Sequence, residues 1–160
     1  MLINQSSAAF DKKFTKKLKV AIVRTNYHAE LVNNLEAFAR GTLITAGLHE
    51  KNITTFIVPG SWEVPLLVKK AAESKKFDAI IAFGVIVKGQ THHFDLIANE
   101  VASALMQMSL DYSIPVAFEV LAVYDKSHAV VRSGQDTNNK GIEAANAVLL
   151  TLLTLKSITK

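Results

Sequence analysis

The sequence predicts an α/β fold: a three-layer αβα sandwich on a four-stranded parallel sheet. Four short apolar runs alternate with four longer segments whose apolar residues repeat at helical spacing. The runs are near-continuous rather than alternating, as expected for strands covered on both faces. Strand followed by helix, repeated along the chain, implies right-handed crossovers that put helices on both sides of the sheet.

Leu18 to Val23 is the first strand. Leu31, Leu35, Phe38, Ala39, Leu43 and Ala46 then repeat at helical spacing, and Gly47 is a stop signal. Ile53 to Val58 is the second strand, closed by Pro59-Gly60. Val64, Leu67, Val68 and Ala71 mark the second helix, with Pro65 in its first turn, where a missing N–H costs little. Ala79 to Val87 is the third strand, and Ile97, Val101, Ala104, Leu105 and Met108 mark the third helix. Pro115 opens the fourth strand, Val116 to Val123. A short helix is expected near Ser127 to Arg132, and Ile142, Ala145, Val148, Leu149 and Leu152 mark the last one. Residues 18–160 read as one domain behind an N-terminal extension, residues 1–17.

Composition narrows the function classes. Hydrophobic residues make up 49% of the 160 and charged ones 20%, a globular balance. The formal net charge is +4, but Lys12, Lys13, Lys16, Lys17 and Lys19 put much of the basic excess near the N-terminus. No Lys/Arg stripe interleaved with aromatics marks a structured face, so nucleic acid is not an expected partner. The absence of cysteine excludes disulfides, thiolate metal sites and cysteine nucleophiles. No apolar run reads as membrane-spanning, and residues 1–17 lack the apolar block of a secretory signal. A cytoplasmic protein without a membrane partner is expected.

In open parallel sheets, ligands bind beyond the C-terminal strand ends. Arg24-Thr25-Asn26-Tyr27-His28 follows the first strand, Pro59-Gly60-Ser61-Trp62-Glu63 the second, and Lys88-Gly89-Gln90-Thr91-His92-His93-Phe94-Asp95 the third. Gly89 precedes a helix start, whose free N–H groups and dipole suit an anion, and His93 beside it suits proton transfer near neutral pH. Tyr27 and Trp62 have the shape to wall a flat ring, and Glu63 can accept hydrogen bonds from hydroxyls. Residue types alone leave bland alternatives open: a capped helix start with surface histidines, aromatics in core or oligomer contacts, and a helix-terminal acid. Walker and G-x-G-x-x-G loops and a serine elbow are missing, and adjacent His92 and His93 suit a metal poorly.

The strings Pro59-Gly60-Ser61-Trp62-Glu63-Val64-Pro65 and Gly89-Gln90-Thr91-His92-His93-Phe94-Asp95 together resemble the 6,7-dimethyl-8-ribityllumazine synthase family. Arg132-Ser133-Gly134 and Asn139-Lys140-Gly141 match its later motifs, and the resemblance runs from Leu18 to the last helix. It implies a flavodoxin-like strand order, 2-1-3-4. It also implies condensation of 5-amino-6-(D-ribitylamino)uracil with 3,4-dihydroxy-2-butanone 4-phosphate, without metal or cofactor. The product, 6,7-dimethyl-8-ribityllumazine, is the precursor of riboflavin.

Carried over by position, the resemblance makes Tyr27 the ring-stacking aromatic, Ser61 and Glu63 holders of the ribityl chain with Trp62 beside it, and Ile86 and Val87 the ring pocket. Gln90 and Thr91 would offer donors to the phosphate and His93 would move protons. Phe118, Arg132 and Lys140 would complete the site, with Arg132 as the phosphate's counter-charge. The family's Arg-aromatic-Asn reads Asn26-Tyr27-His28 here, and His92 precedes the expected catalytic histidine. The family implies a homopentamer with sites between subunits, stacked in some relatives into decamers or sixty-subunit shells. Phe118 lies near the start of its strand, roughly 15 Å from the ligand edge at about 3.3 Å per residue, so it can reach such a site only from a neighbouring subunit. A non-catalytic flavin binder or a cage protein with a decayed site would need neither His93 nor Arg132.

Overall fold

The computed structural model describes residues 10–159. Its parallel strands are β1 (Val20–Thr25), β2 (Ile53–Val58), β3 (Ala79–Val87) and β4 (Val116–Val123), ordered β2-β1-β3-β4 as expected. The helices are α1 (Lys12–Thr15), α2 (Ala29–Thr45), α3 (Val64–Glu73), α4 (His93–Tyr112), α5 (Lys126–Arg132) and α6 (Lys140–Ile158).

Alternate strand residues feed two cores, as the two-residue side-chain period of a strand requires. Val20, Ile22, Ile81, Phe83, Leu121 and Val123 meet Leu35 and Leu43 of α2 and Ala145 and Leu149 of α6. Ala21, Val23, Ile80, Ala82 and Val120 meet Val64 and Val68 of α3 and Val101 and Leu105 of α4. Each large side chain so buried contributes about 1.5–3 kcal/mol before entropic costs. Because β1 leads to α2 on one face and β3 to α4 on the other, their C-terminal ends diverge and leave a crevice.

Two details place functional side chains. A Cβ at Gly141 would lie 2.0 Å from the Leu35 carbonyl oxygen, so only glycine lets the start of α6 abut α2. Buried Asn139 caps α6: its Oδ1 accepts from the Gly141 N–H at 2.8 Å and its Nδ2 donates to the Gly134 carbonyl at 2.7 Å. Together they fix Lys140, the first residue of α6. Among the described residues α6 is also the one helix long and apolar enough to cross a membrane, a property the sequence reading did not pick out. Its Ala144, Ala145, Val148 and Leu149 lie in the core against α2 and the sheet.

Part of the expected N-terminal extension packs on the domain. Asp11 caps α1, Phe10 and Phe14 rest on the α2–α6 core, and the Thr15 hydroxyl donates to the Ala46 carbonyl at 2.7 Å. The Lys156 ammonium lies 4.5 Å from the centroid of the Phe14 ring. Residues 1–9 of that extension lie outside the described residues.

Candidate active site

Three loops form one rim at the C-terminal end of the sheet. The Asn26 N–H donates to the Val58 carbonyl at 2.8 Å and the Tyr27 N–H to the Pro59 carbonyl at 3.2 Å. These bonds set Tyr27 beside the Pro59–Glu63 turn. Fully buried Thr25 steadies the same loop, its hydroxyl donating to the Tyr27 carbonyl at 3.1 Å. Tyr27 is 66% exposed and Trp62 58%, so both rings are free to meet a ligand or a neighbouring chain. Ser61 is buried against Gly84, where a Cβ would come within 2.9 Å of the serine hydroxyl. Glu63 is half-buried, and its Oε2 accepts the Gly60 N–H at 2.9 Å. The carboxylate therefore closes its own turn, which is the bland role, and is held in place by doing so.

Ile86 and Val87 end β3, half-buried, Ile86 packing on the α3–α4 side of the sheet and Val87 on the α2–α6 side. The Lys88 N–H donates to the Val123 carbonyl at 2.9 Å, rooting the next loop on β4. The Lys88 ammonium stands 3.8 Å from Asp95 and 5.0 Å from the centroid of the Tyr124 ring. From this root Gln90, Thr91, His92 and His93 project, all exposed. A Cβ at Gly89 would meet nothing within 4 Å, so internal packing does not demand that glycine. Among the described residues no hydrogen bond engages the N–H groups of Gly89, Gln90, Thr91 or His92. The His93 N–H has only a long contact, 3.4 Å, to the Thr91 hydroxyl. A 20-residue helix begins here, so these donors and the dipole behind them suit a phosphate. His92 is the more remote histidine: its side chain is 98% exposed and lies 3.8 Å from Asp95.

The remaining residues gather elsewhere. Phe118 is level with Ala82, five residues before Val123, which pairs with Val87 at the ligand end. At about 3.3 Å per residue it sits roughly 16 Å from that end. Phe118, Glu119, His128 and Arg132 line a groove of about 390 Å³ that runs along the free edge of β4 as far as Tyr124. The Arg132 guanidinium donates to the His128 carbonyl at 3.1 Å and has no carboxylate partner among the described residues. Lys140 pairs with Glu143 one turn along α6. The chain thus brings Tyr27, Ser61, Trp62, Glu63, Ile86, Val87, Gln90, Thr91 and His93 to one rim, and Phe118, Arg132 and Lys140 to the β4 side.

Sequence reasoning missed two titratable groups. Burial, and secondarily Lys126, holds the His28 imidazole below its ordinary value; His28 begins α2 with a left-handed backbone and packs edge-on against Tyr27 at 4.5 Å. Burial pushes the Glu119 carboxyl up to about 7, opposed by Lys140 and reinforced by Glu143. The folded state therefore holds a proton that the unfolded chain releases above its ordinary value of 4.5. This contribution to stability is fully present below that value and is lost as pH rises through about 7. Glu119→Gln should accordingly stabilise the protein by about 1–2 kcal/mol near pH 8, after allowing for solvent screening, and so raise its melting temperature there while leaving it unchanged near pH 4.5. An equal melting shift at both pH values would show that the carboxyl does not titrate in this way.

Comparison with known proteins fits this geometry. The sequence profile of the family described as 6,7-dimethyl-8-ribityllumazine synthase matches residues 17–156. The chain is 38% identical over 143 residues to the enzyme of that name from Nitratidesulfovibrio vulgaris strain DP4, covering 89% of this chain and 92% of the relative. It is 37% identical over 144 residues to the one from Campylobacter hominis, covering 90% and 92%. Against the Acidovorax sp. strain JS42 enzyme it is 35% identical over 139 residues, covering 87% and 88%. The match spans the loops of both residue groups as well as the sheet, and so the chain belongs to the 6,7-dimethyl-8-ribityllumazine synthase family.

Proposed function

We propose that the chain is a transferase of riboflavin biosynthesis whose active site is shared between neighbouring subunits of a homopentamer. It condenses 5-amino-6-(D-ribitylamino)uracil with 3,4-dihydroxy-2-butanone 4-phosphate to 6,7-dimethyl-8-ribityllumazine, the penultimate step of that pathway. The carrying observation is the separation of the site residues into two groups on one subunit. His93 and the anion-binding helix start stand at the rim, while Arg132 and Phe118 lie on the open β4 edge. A neighbour bringing its β4 side to this rim completes the site. Exposed Leu66, Leu96, Met106 and Leu110 on α3 and α4 supply apolar surface for such an interface.

In this arrangement Tyr27 stacks on the pyrimidine and Ser61 and Glu63 hold the ribityl hydroxyls, with Trp62 flanking them. Ile86 and Val87 back the ring. The substrate amine attacks the ketone, water leaves to give an imine, phosphate is eliminated, and ring closure releases a second water. His93 carries protons in these steps. The N–H groups around Gln90 and Thr91, with the neighbour's Arg132 and Lys140, neutralise the phosphate as it departs. Holding two substrates together supplies much of the remaining acceleration.

Mixing the two substrates with the protein and following lumazine absorbance tests the reaction; no product at about micromolar enzyme would refute it, since even a slow turnover of about one per second is visible there. Native mass spectrometry or light scattering tests the assembly. Pentamers, decamers of two stacked pentamers, or sixty-subunit shells agree with the shared site, and a monomer refutes it.

A further inference from the structure

We propose that Glu119 is a positioning residue for Lys140: its carboxyl shares the lysine ammonium with Glu143 and so sets how much of that charge reaches the phosphate-bearing substrate. The inference rests on the shared-site reading, because it is in a neighbour's site that Lys140 meets substrate. Its basis is placement. Glu119 follows Phe118 on β4 and lines the same groove as Arg132. Its register partner is Phe83, whose side chain belongs to the core on the α6 side of the sheet. Glu119 therefore points toward the start of α6, within electrostatic reach of Lys140 and Glu143. The Gly141 contact with α2 and the Asn139 cap prevent that helix start from moving away.

The charged groups facing Glu119 can be enumerated by element. From α6 they are Lys140 and Glu143. From α5, His128 and Arg132 line the groove. The neighbouring β3 offers only Phe83 at that level, and α4 packs against the opposite face of β4 through Val120. One cation thus has two carboxyl partners, Glu143 beside it in the helix and Glu119 across on the strand. When Glu119 carries its proton, Lys140 is held by Glu143 alone, at a half-exposed pair that a phosphate can outcompete. When Glu119 ionises, as burial arranges near neutral pH, two carboxylates hold the ammonium and repel an incoming dianion. Substrate binding should weaken across that transition.

The test is the KM for the phosphate substrate in the wild type and in Glu119→Gln, measured from about pH 6 to about pH 8.5 on the assembled enzyme. The substrate's own titration affects both proteins equally and cancels in their ratio. The two KM values should agree within about twofold at the acid end and differ about fivefold at the alkaline end, the variant being tighter, with kcat similar throughout. A residue that merely supports the fold would shift KM or kcat by the same factor at every pH. Parallel KM profiles overturn the proposal.

Glu143→Gln gives a second signature of opposite sense. Removing that like charge lets Glu119 ionise more readily, so the rise in KM moves to lower pH. Should Glu119→Gln fail to assemble, this shift still decides the matter, and its absence refutes the role. Calorimetric binding of inorganic phosphate to the three proteins provides a readout independent of turnover. If the wild type makes no lumazine, the reaction assignment fails; the phosphate titrations then judge Glu119 separately, and pH-independent ratios among the proteins count against it.

Discussion

Replacing His93 by Ala should lower kcat by about 10- to 100-fold, while replacing His92 by Ala should change it by less than about twofold. The two histidines are neighbours, so sequence alone distinguishes them only by resemblance. The structure adds a physical difference. His93 is the first residue of α4, with its backbone at the donor-rich helix start and Thr91 beside it. His92 is the residue before the helix, its side chain 98% exposed and drawn toward Asp95. Proton transfer needs hydrogen-bonding distance to the reacting atoms; both histidines are exposed, and His93 is the one whose own backbone stands among the N–H groups that suit the phosphate. The effect of losing His93 is bounded, because the departing phosphate and water can carry some protons themselves. Steady-state kinetics on both variants, with assembly checked by light scattering, decides the assignment. Equal losses at the two positions would remove the role given to His93, and a loss confined to His92 would transfer it.

The sheet was legible because burial on both faces leaves a simple trace: strands without polar alternation, each followed by a helical pattern. The edges of elements were less so. The first apolar run starts at Leu18, yet β1 starts at Val20, because the Lys19 N–H is taken by the Asp78 carboxylate at 2.7 Å rather than by a neighbouring strand. At the other end the apolar run stops at Val23, yet β1 continues to Thr25, which is fully buried and paired with β2 through Val58, its hydroxyl satisfied by the Tyr27 carbonyl. A buried polar group with a local partner leaves no mark in hydropathy. Likewise α4 begins at His93, a turn before its first periodic apolar residue, because helix starts carry function and capping rather than core.

The rim was readable for a related reason. Three consecutive strand ends carried aromatic, acidic and histidine side chains that turns do not need, and the sheet rule brings strand ends together. Glu119 was not readable. Its perturbation comes first from burial in the folded chain and then from Lys140 and Glu143, which are distant in sequence and reach it only because Gly141 lets α6 close against α2. Nothing local in Phe118-Glu119-Val120 announces that neighbour. His28 is similar, since after burial its one charged influence, Lys126, comes from the far side of the sheet order.

Arg132→Ala should raise the KM for the phosphate substrate on the order of 100-fold, since a charge-assisted hydrogen-bond pair to phosphate is worth about 1.5–3 kcal/mol and Lys140 cannot reproduce its fork. The KM for the ribitylaminouracil should change far less, and an unchanged phosphate KM would refute the counter-charge role. The same variant also tests where the guanidinium acts. If each site takes His93 from one subunit and Arg132 from the next, the His93→Ala and Arg132→Ala lesions are separable. In an oligomer assembled from equal amounts of the two defective chains, roughly one interface in four joins an intact His93 to an intact Arg132, while a site built within one chain is never repaired. Co-expressed or co-refolded mixtures should therefore recover about a quarter of wild-type turnover from two nearly inactive parents. The placement of Phe118 about 16 Å behind the strand end is what favours this outcome. Activity no greater than the average of the two parents, in particles shown by native mass spectrometry to be mixed, would mean that one chain carries both halves of its own site.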